Sequence, residues 1–188
     1  LDREDIKRHD ADEALWNGRD MKLRKVGARG GDYICMNGID IDIDGFYLQG
    51  NYSFQDAKNV VVRNAKLDSK DAFWKAENVT VYDSELNGEY LGWHSKNLKL
   101  INCKISGTQP LCYCTNLILD NCTFAGDCDL CFEYSTVEAV VNSHIVSVKN
   151  PTEGFIMCDS VGEVIIDENC KNPEGCKIGY NKEVSVAS

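Results

Sequence analysis

The chain has 188 residues, 43% of them hydrophobic and 27% charged, which is enough apolar material for one domain with a real core. Its 20 Lys and Arg against 30 Asp and Glu leave a formal charge of -10, a balance that repels phosphate backbones and anionic lipid and so excludes nucleic acid and membranes as partners. No stretch reaches the roughly 20 consecutive apolar residues of a bilayer-spanning helix.

The chain starts at Leu1 without Met, and Leu1 to Asp10 is charged instead of signal-like, which reads as a processed product or an excised part of a longer protein. Ten cysteines in a chain of this size read as reduced thiols of a cytoplasmic protein, because disulfide frameworks belong to short secreted chains that lack a core.

A repeat is the first organised feature. It enters at Asp20, in DMKLRKVGARG, and returns at Asp40, in DIDIDGFYLQG. Four units then follow without gaps, each 19 residues long, starting at Phe54, Phe73, Gly92 and Leu111 and anchored on Asn59, Asn78, Asn97 and Asn116. Beyond them the frame reaches Val137, with Val140, Ser143 and Ile145 in step, and then Glu163, with Val164 and Ile166. The longer spacings place loop insertions at Gly126 to Cys131 and Val146 to Glu153.

Within a unit, apolar or small residues fall five and two before the anchor and one, three, six and eight after it, and these are predicted to point inward. Short runs of period two, such as Val79-Thr80-Val81, mark strands, and no unit holds a helix-length run of 3.6 periodicity. Ten after the anchor stand Gly30, Gly50, Ser69, Gly88, Gly107 and Gly126, a predicted corner. Five after it stand Asn64, Asp83, Asn102, Asn121 and Asn142, which predict an amide ladder at the ~4.8 Å strand spacing.

These features predict an all-β chain: a single-stranded parallel β-helix of about eight rungs. The rungs occupy about 14–170 of a single domain 1–188, with 171–188 as a C-terminal tail or cap. A leucine-rich repeat has similar inward spacing, but its units run 20 to 29 residues and carry a helical segment that these units lack. Open solenoid ends expose strand edges, so the N-terminal segment, the tail from Lys171 to Ser188 or a second chain is expected to cover them, the last giving a homo-oligomer through the ends.

The run YSFQDAKNVVVRNAKLDSKDAFWKAENVTVYDSELNGEYLGWHSKNLKLINC, with QPLCYCTNL, FEYSTVEAVVNS, SVKNP and VGEVIID, resembles a bacterial family known as a domain of unknown function. The resemblance covers roughly residues 14–168. It implies a right-handed β-helix related to the pectate-lyase-like fold and a parent protein with further rungs before Leu1. Hydrogenase labels sometimes attached to that family find no dedicated set of cluster-binding cysteines here, and the resemblance carries fold without function.

Two columns carry the candidate chemistry. Four before the anchor run Trp16, Met36, Gln55, Trp74, Trp93, Cys112, Glu133 and Asp159; next to them run Asn17, Asn37, Asp56, Lys75, His94, Tyr113, Tyr134 and Ser160. Both are predicted to face outward. Trp74, Trp93, His94 and Tyr113 are then the candidate ligand-binding residues, on the kind of surface a glycan stacks on, and Asp56, Lys75, His94 and Glu133 are the candidate catalytic cluster.

Cys112, Cys114, Cys128 and Cys131 have a superficial zinc spacing, but strand alternation points Cys112 and Cys114 apart, so no metal and no cofactor is expected. In Asp40-Ile41-Asp42-Ile43-Asp44 the alternation of a half-buried strand outweighs a calcium reading. The favoured function is a non-catalytic binding or assembly scaffold with a protein or glycan partner; the alternative is a carbohydrate-active protein, lyase or hydrolase, using the Trp face.

Overall fold

The computed structural model describes residues 7–9 and 11–181. The strands in chain order are β1 (Lys7–His9), β2 (Arg19–Arg29), β3 (Ile39–Gln49), β4 (Lys58–Asp68), β5 (Glu77–Tyr82), β6 (Glu85–Asn87) and β7 (Lys96–Ile101). They continue as β8 (Lys104–Ser106), β9 (Leu117–Phe124), β10 (Thr136–Val141), β11 (His144–Lys149), β12 (Glu153–Cys158), β13 (Ser160–Ile165) and β14 (Cys176–Tyr180). Every pairing is parallel, and the main sheet runs β1-β2-β3-β4-β5-β7-β9-β10-β12-β14, with β6 and β8 alongside it and β11 paired to β13. This is a parallel β-solenoid of about nine turns, roughly 19 residues apart. The turn beyond the predicted eight comes from the ends, where β1 joins β2 and β14 joins β12. Among the described residues no helix is long and apolar enough to cross a membrane.

The core is the predicted set of columns. Val60, Val79 and Leu98 stack in register, as do Val62, Val81 and Leu100, and all are buried. Each rung presents a single layer of inward side chains, and stacking converts those layers into one continuous interior that no single rung has alone. Phe54 and Phe73 stack face to face at 5.0 Å, and Phe124 on Phe132 at 5.6 Å.

Two amide ladders run along the outside. In the anchor column Asn59 Nδ2 donates to Asp40 Oδ1 (2.9 Å), Asn78 to Asn59 (3.2 Å), Asn97 to Asn78 (2.8 Å) and Asn116 to Asn97 (3.1 Å). In the predicted column Asn64 donates to Asp44, Asn102 to Asp83, Asn121 to Asn102 and Asn142 to Asn121. Asn59, Asn64, Asn78, Asn97, Asn102, Asn116 and Asn121 all have positive φ, so one residue type meets two demands: it tolerates the left-handed bend and it supplies the donor and acceptor of the ladder. In the acidic run, Ile41 and Ile43 are buried as predicted, and Asp42 accepts from Arg63 (3.1 Å) with Arg24 at 3.5 Å.

Past Asn121 the expected frame is overturned. Val137 pairs with Leu117, the residue after the anchor, so the left-handed anchor is absent from this rung. A register irregularity between Ala139 and Val141 then leaves Ala139 and Val141 in the wall and Val140 half-buried, contrary to the inward position expected of Val140. A slip of one residue turns every side chain to the other face, which is why the spacing count failed here. Val146 to Lys149 lies in β11 and Glu153 opens β12, so no loop insertion occupies that stretch; the next main-sheet strand starts at Glu153, not at Glu163. Val164 and Ile166, expected inside, are exposed because β13 is the outermost strand of its sheet. Gly126 is exposed with open space about it and is not a close-packed corner.

One buried group stands out. Asp71 is 5% exposed, its Oδ1 has no hydrogen-bond partner, and its φ is 54°. Burial raises its pKa above the usual carboxylate value, Lys70 lowers it and Glu89 raises it. The folded state therefore holds the proton more tightly than the unfolded one, and stability drains away as pH rises from the ordinary carboxylate range through the raised value. Asp71→Asn removes that charge and keeps a residue that accepts positive φ, so urea titrations are expected to show it about 1–2 kcal/mol more stable than wild type at pH 7, with the gain shrinking in acid.

Candidate functional site

The candidate face is built on the corners that precede the main strands. In residues 52–56, 71–75, 90–94, 109–113 and 130–134 every second residue is left-handed: Tyr52, Phe54 and Asp56, then Asp71, Phe73 and Lys75, and so on to Leu130, Phe132 and Tyr134. For a side chain larger than Gly that conformation costs about 1–2 kcal/mol per residue. Bonds to both neighbouring rungs hold it in place. Phe73 N–H donates back to Ser53 O (2.8 Å) and Lys75 N–H donates forward to Trp93 O (2.9 Å). The middle left-handed residue of each corner drops into the core, and the last, which is Asp56, Lys75, His94, Tyr113 or Tyr134, stays at the surface.

The stacked corners assemble a stripe of rings parallel to the solenoid axis. Trp74 lies 5.7 Å from Trp93 and 5.6 Å from His94; His94 stacks on Tyr113 at 4.7 Å, and Tyr113 lies 5.6 Å from Tyr134. Trp93 also meets Tyr113 edge to face at 5.1 Å and Tyr90 at 4.9 Å, and its Nε1–H donates to Gln109 O (2.7 Å). The four predicted ligand-binding residues, Trp74, Trp93, His94 and Tyr113, are thus brought together. Tyr90 and Tyr134 extend the group. Tyr90 repeats Tyr33 and Tyr52 at multiples of 19 residues, a signal already present in the sequence.

The predicted catalytic cluster is only partly assembled. Lys75 stands beside His94, whose pKa is lowered, first by burial and then by that positive neighbour, so the imidazole is neutral at pH 7. Asp56 is half-buried one rung earlier. Glu133 is not on the outward face: it is 8% exposed and paired with Lys149 at 2.9 Å, and this pairing raises the pKa of Lys149. Lys149 also approaches Asp167 at 3.9 Å, and the Asn169 backbone N–H and the Asn150 side chain hold Asp167 below the usual carboxylate value. Burial raises the Tyr113 pKa, with the Glu133 charge adding to it.

Cys112 also departs from the outward column. It is fully buried, and its Sγ donates to Leu130 O (3.4 Å) beneath the loop Gly126 to Cys131. Cys112 and Cys114 therefore both lie inside, because the segment that holds them is a corner with alternating backbone hand and not a flat strand. All ten cysteines are free thiols. Burial pushes Cys35, Cys112 and Cys128 up to about 12 and Cys114 up to about 11. Thiols so shifted are poor nucleophiles and poor metal ligands at neutral pH. Among the described residues no three His, Cys, Asp or Glu side chains converge to hold a metal ion. A depression of about 300 Å³ lies elsewhere, over β6, β8 and β9, lined by Glu85, Asn87, Lys104, Ser106 and Thr123.

No curated protein and no solved structure matches the chain. The sequence does match, over residues 1–179, the family described as "Protein of unknown function (DUF3737)". The matched span takes in nearly every rung of the solenoid, and the chain belongs to this family.

Proposed function

We propose that this β-solenoid is a non-catalytic binding scaffold whose partner lies along the ring stripe from Trp74 to Tyr134. The supporting observation is the continuity of that stripe over successive rungs, beside a Glu133 carboxylate already held by Lys149 and a His94 whose charged neighbour is Lys75 and not a carboxylate. His94 and Tyr113 cover each other's faces, and the other rings of the stripe meet tilted or edge to face. Protein interfaces are enriched in such Tyr and Trp contacts, so a protein partner fits best.

A glycan partner is the second reading, favoured by the two half-buried indoles of Trp74 and Trp93 on adjacent rungs. A glycan array probed with wild type and Trp93→Ala separates the two. Binding by wild type that drops at least about tenfold in the variant establishes the sugar reading, since a ring contact contributes about 1.4 kcal/mol or more when it anchors a ligand. An array blank for wild type leaves the protein partner, and for that partner Trp93→Ala is expected to weaken capture on the same scale.

A further inference from the structure

Two thiols share one inward column on neighbouring rungs. Cys103 lies in the break between β7 and β8, and Cys122 lies opposite it in β9, framed by the in-register pairs Ile101 with Asp120 and Lys104 with Thr123. Both are buried. Cys103 Sγ reaches Val81 O (3.5 Å) and Cys122 Sγ reaches Leu100 O (3.4 Å), and Val81 and Leu100 are themselves in register, so the two thiols lean the same way. Ser84 precedes them in the column and Val141 follows, which leaves each thiol the other as its neighbour there. Neighbouring parallel strands bring facing Cα atoms to about 4.8 Å, inside the roughly 4.4–6.8 Å range of disulfides. The wall over the pair is thin, since the adjoining Asn102, Lys104 and Asn121 are exposed.

We propose that Cys103 and Cys122 form an oxidative modification site, closed by hydrogen peroxide into a disulfide that staples two rungs. The Cys122 thiolate attacks the peroxide and breaks its O–O bond, which gives a sulfenic acid and hydroxide. The Cys103 sulfur then displaces the sulfenic hydroxyl and forms the S–S bond. Both thiol protons end in water, and the two electrons the thiols lose are those the peroxide gains. The hydrogen bond between the thiols lowers the pKa of Cys122 and raises that of Cys103, whereas burial raises Cys35, Cys112, Cys114 and Cys128, so Cys122 is the attacking sulfur. Closure asks the two Cβ atoms to approach by about 1 Å from the strand spacing, and the break between β7 and β8 gives Cys103 that freedom. The staple lies one rung ahead of the irregularity between Ala139 and Val141, so it fastens the last regular turn where the even ladder ends.

The full chain is treated with hydrogen peroxide at a dose that oxidises half-buried Cys170, then alkylated, digested without reductant and mapped by mass spectrometry. A Cys103–Cys122 linked peptide is expected, lost again on treatment with a phosphine. The oxidised chain is expected to melt about 6–12 °C above the reduced one, the shift that closing a loop of this size produces in a chain of this length. Cys122→Ser is expected to show neither the linked peptide nor the shift, and the mapping of wild type stands without that variant. Recovery of Cys103 and Cys122 as free thiols, as sulfinic or sulfonic acids, or in disulfides to other cysteines overturns the proposal. So does a linked peptide that leaves the melting temperature where it was.

Discussion

Phe73→Ala is expected to destabilise the chain by about 3–5 kcal/mol, enough to unfold much of it at 37 °C given that whole domains are stable by only about 5–15 kcal/mol. Phe73 has no exposed surface, stacks on Phe54 at 5.0 Å and fills the corner of its rung at a position where φ is 61°. Truncation leaves a cavity that cannot collapse, because the backbone around it is pinned to the rungs on both sides by the Phe73–Ser53 and Lys75–Trp93 bonds. Leu111 holds the equivalent place in its own rung and is fully buried, so Phe73→Leu is expected to recover most of the loss. Urea denaturation followed by circular dichroism reads both variants, and a Phe73→Ala midpoint within error of wild type would mean that the stacked rings are not what holds the corner.

Gly107→Val is expected to be comparably damaging, at about 3 kcal/mol or more, through the backbone instead of the core. Its φ is 112°, a conformation closed to β-branched residues, and an added Cβ would overlap the carbonyl oxygen of Gly88 on the neighbouring rung. In a chain of this length that loss corresponds to a fall in Tm of about 6–12 °C. Ser69 occupies the same column without penalty because its φ is not positive, and its hydroxyl bonds to that of Ser53 at 2.8 Å. A thermal scan in which Gly107→Val melts with wild type would show that the corner relaxes without cost.

The parts of the fold that could be read from the residues are those governed by period. Phe54, Val60, Val62 and Leu67 recur as Phe73, Val79, Val81 and Leu86, and a wall that buries one face of each strand leaves such columns little freedom. The reading failed where the period changed: Val137 took the place of an anchor that its rung lacks, and Glu163 was placed in a rung that starts at Glu153. Spacing shows that residues are inserted or lost between two anchors but not at which point. The corners were illegible for a different reason. Strand alternation was assumed through residues such as Cys112 and Glu133, whereas alternating backbone hand turns both inward, and no propensity rule expects Phe, Tyr, Lys and His to adopt positive φ in series. The ring stripe was legible as a column of Trp, His and Tyr 19 residues apart; the Glu133–Lys149 pair was not, since Lys149 comes from the following rung beyond the irregularity.

The fixed step between Val60, Val79 and Leu98 also bears on how such a chain can lengthen or shorten. A whole module of 19 residues added or removed among the gapless units leaves each remaining side chain on its own side of the wall and each ladder amide over another amide. A gain or loss of one residue inverts everything downstream until a bulge corrects it. Length in this architecture is therefore quantised, and viable descendants differ from one another by complete turns.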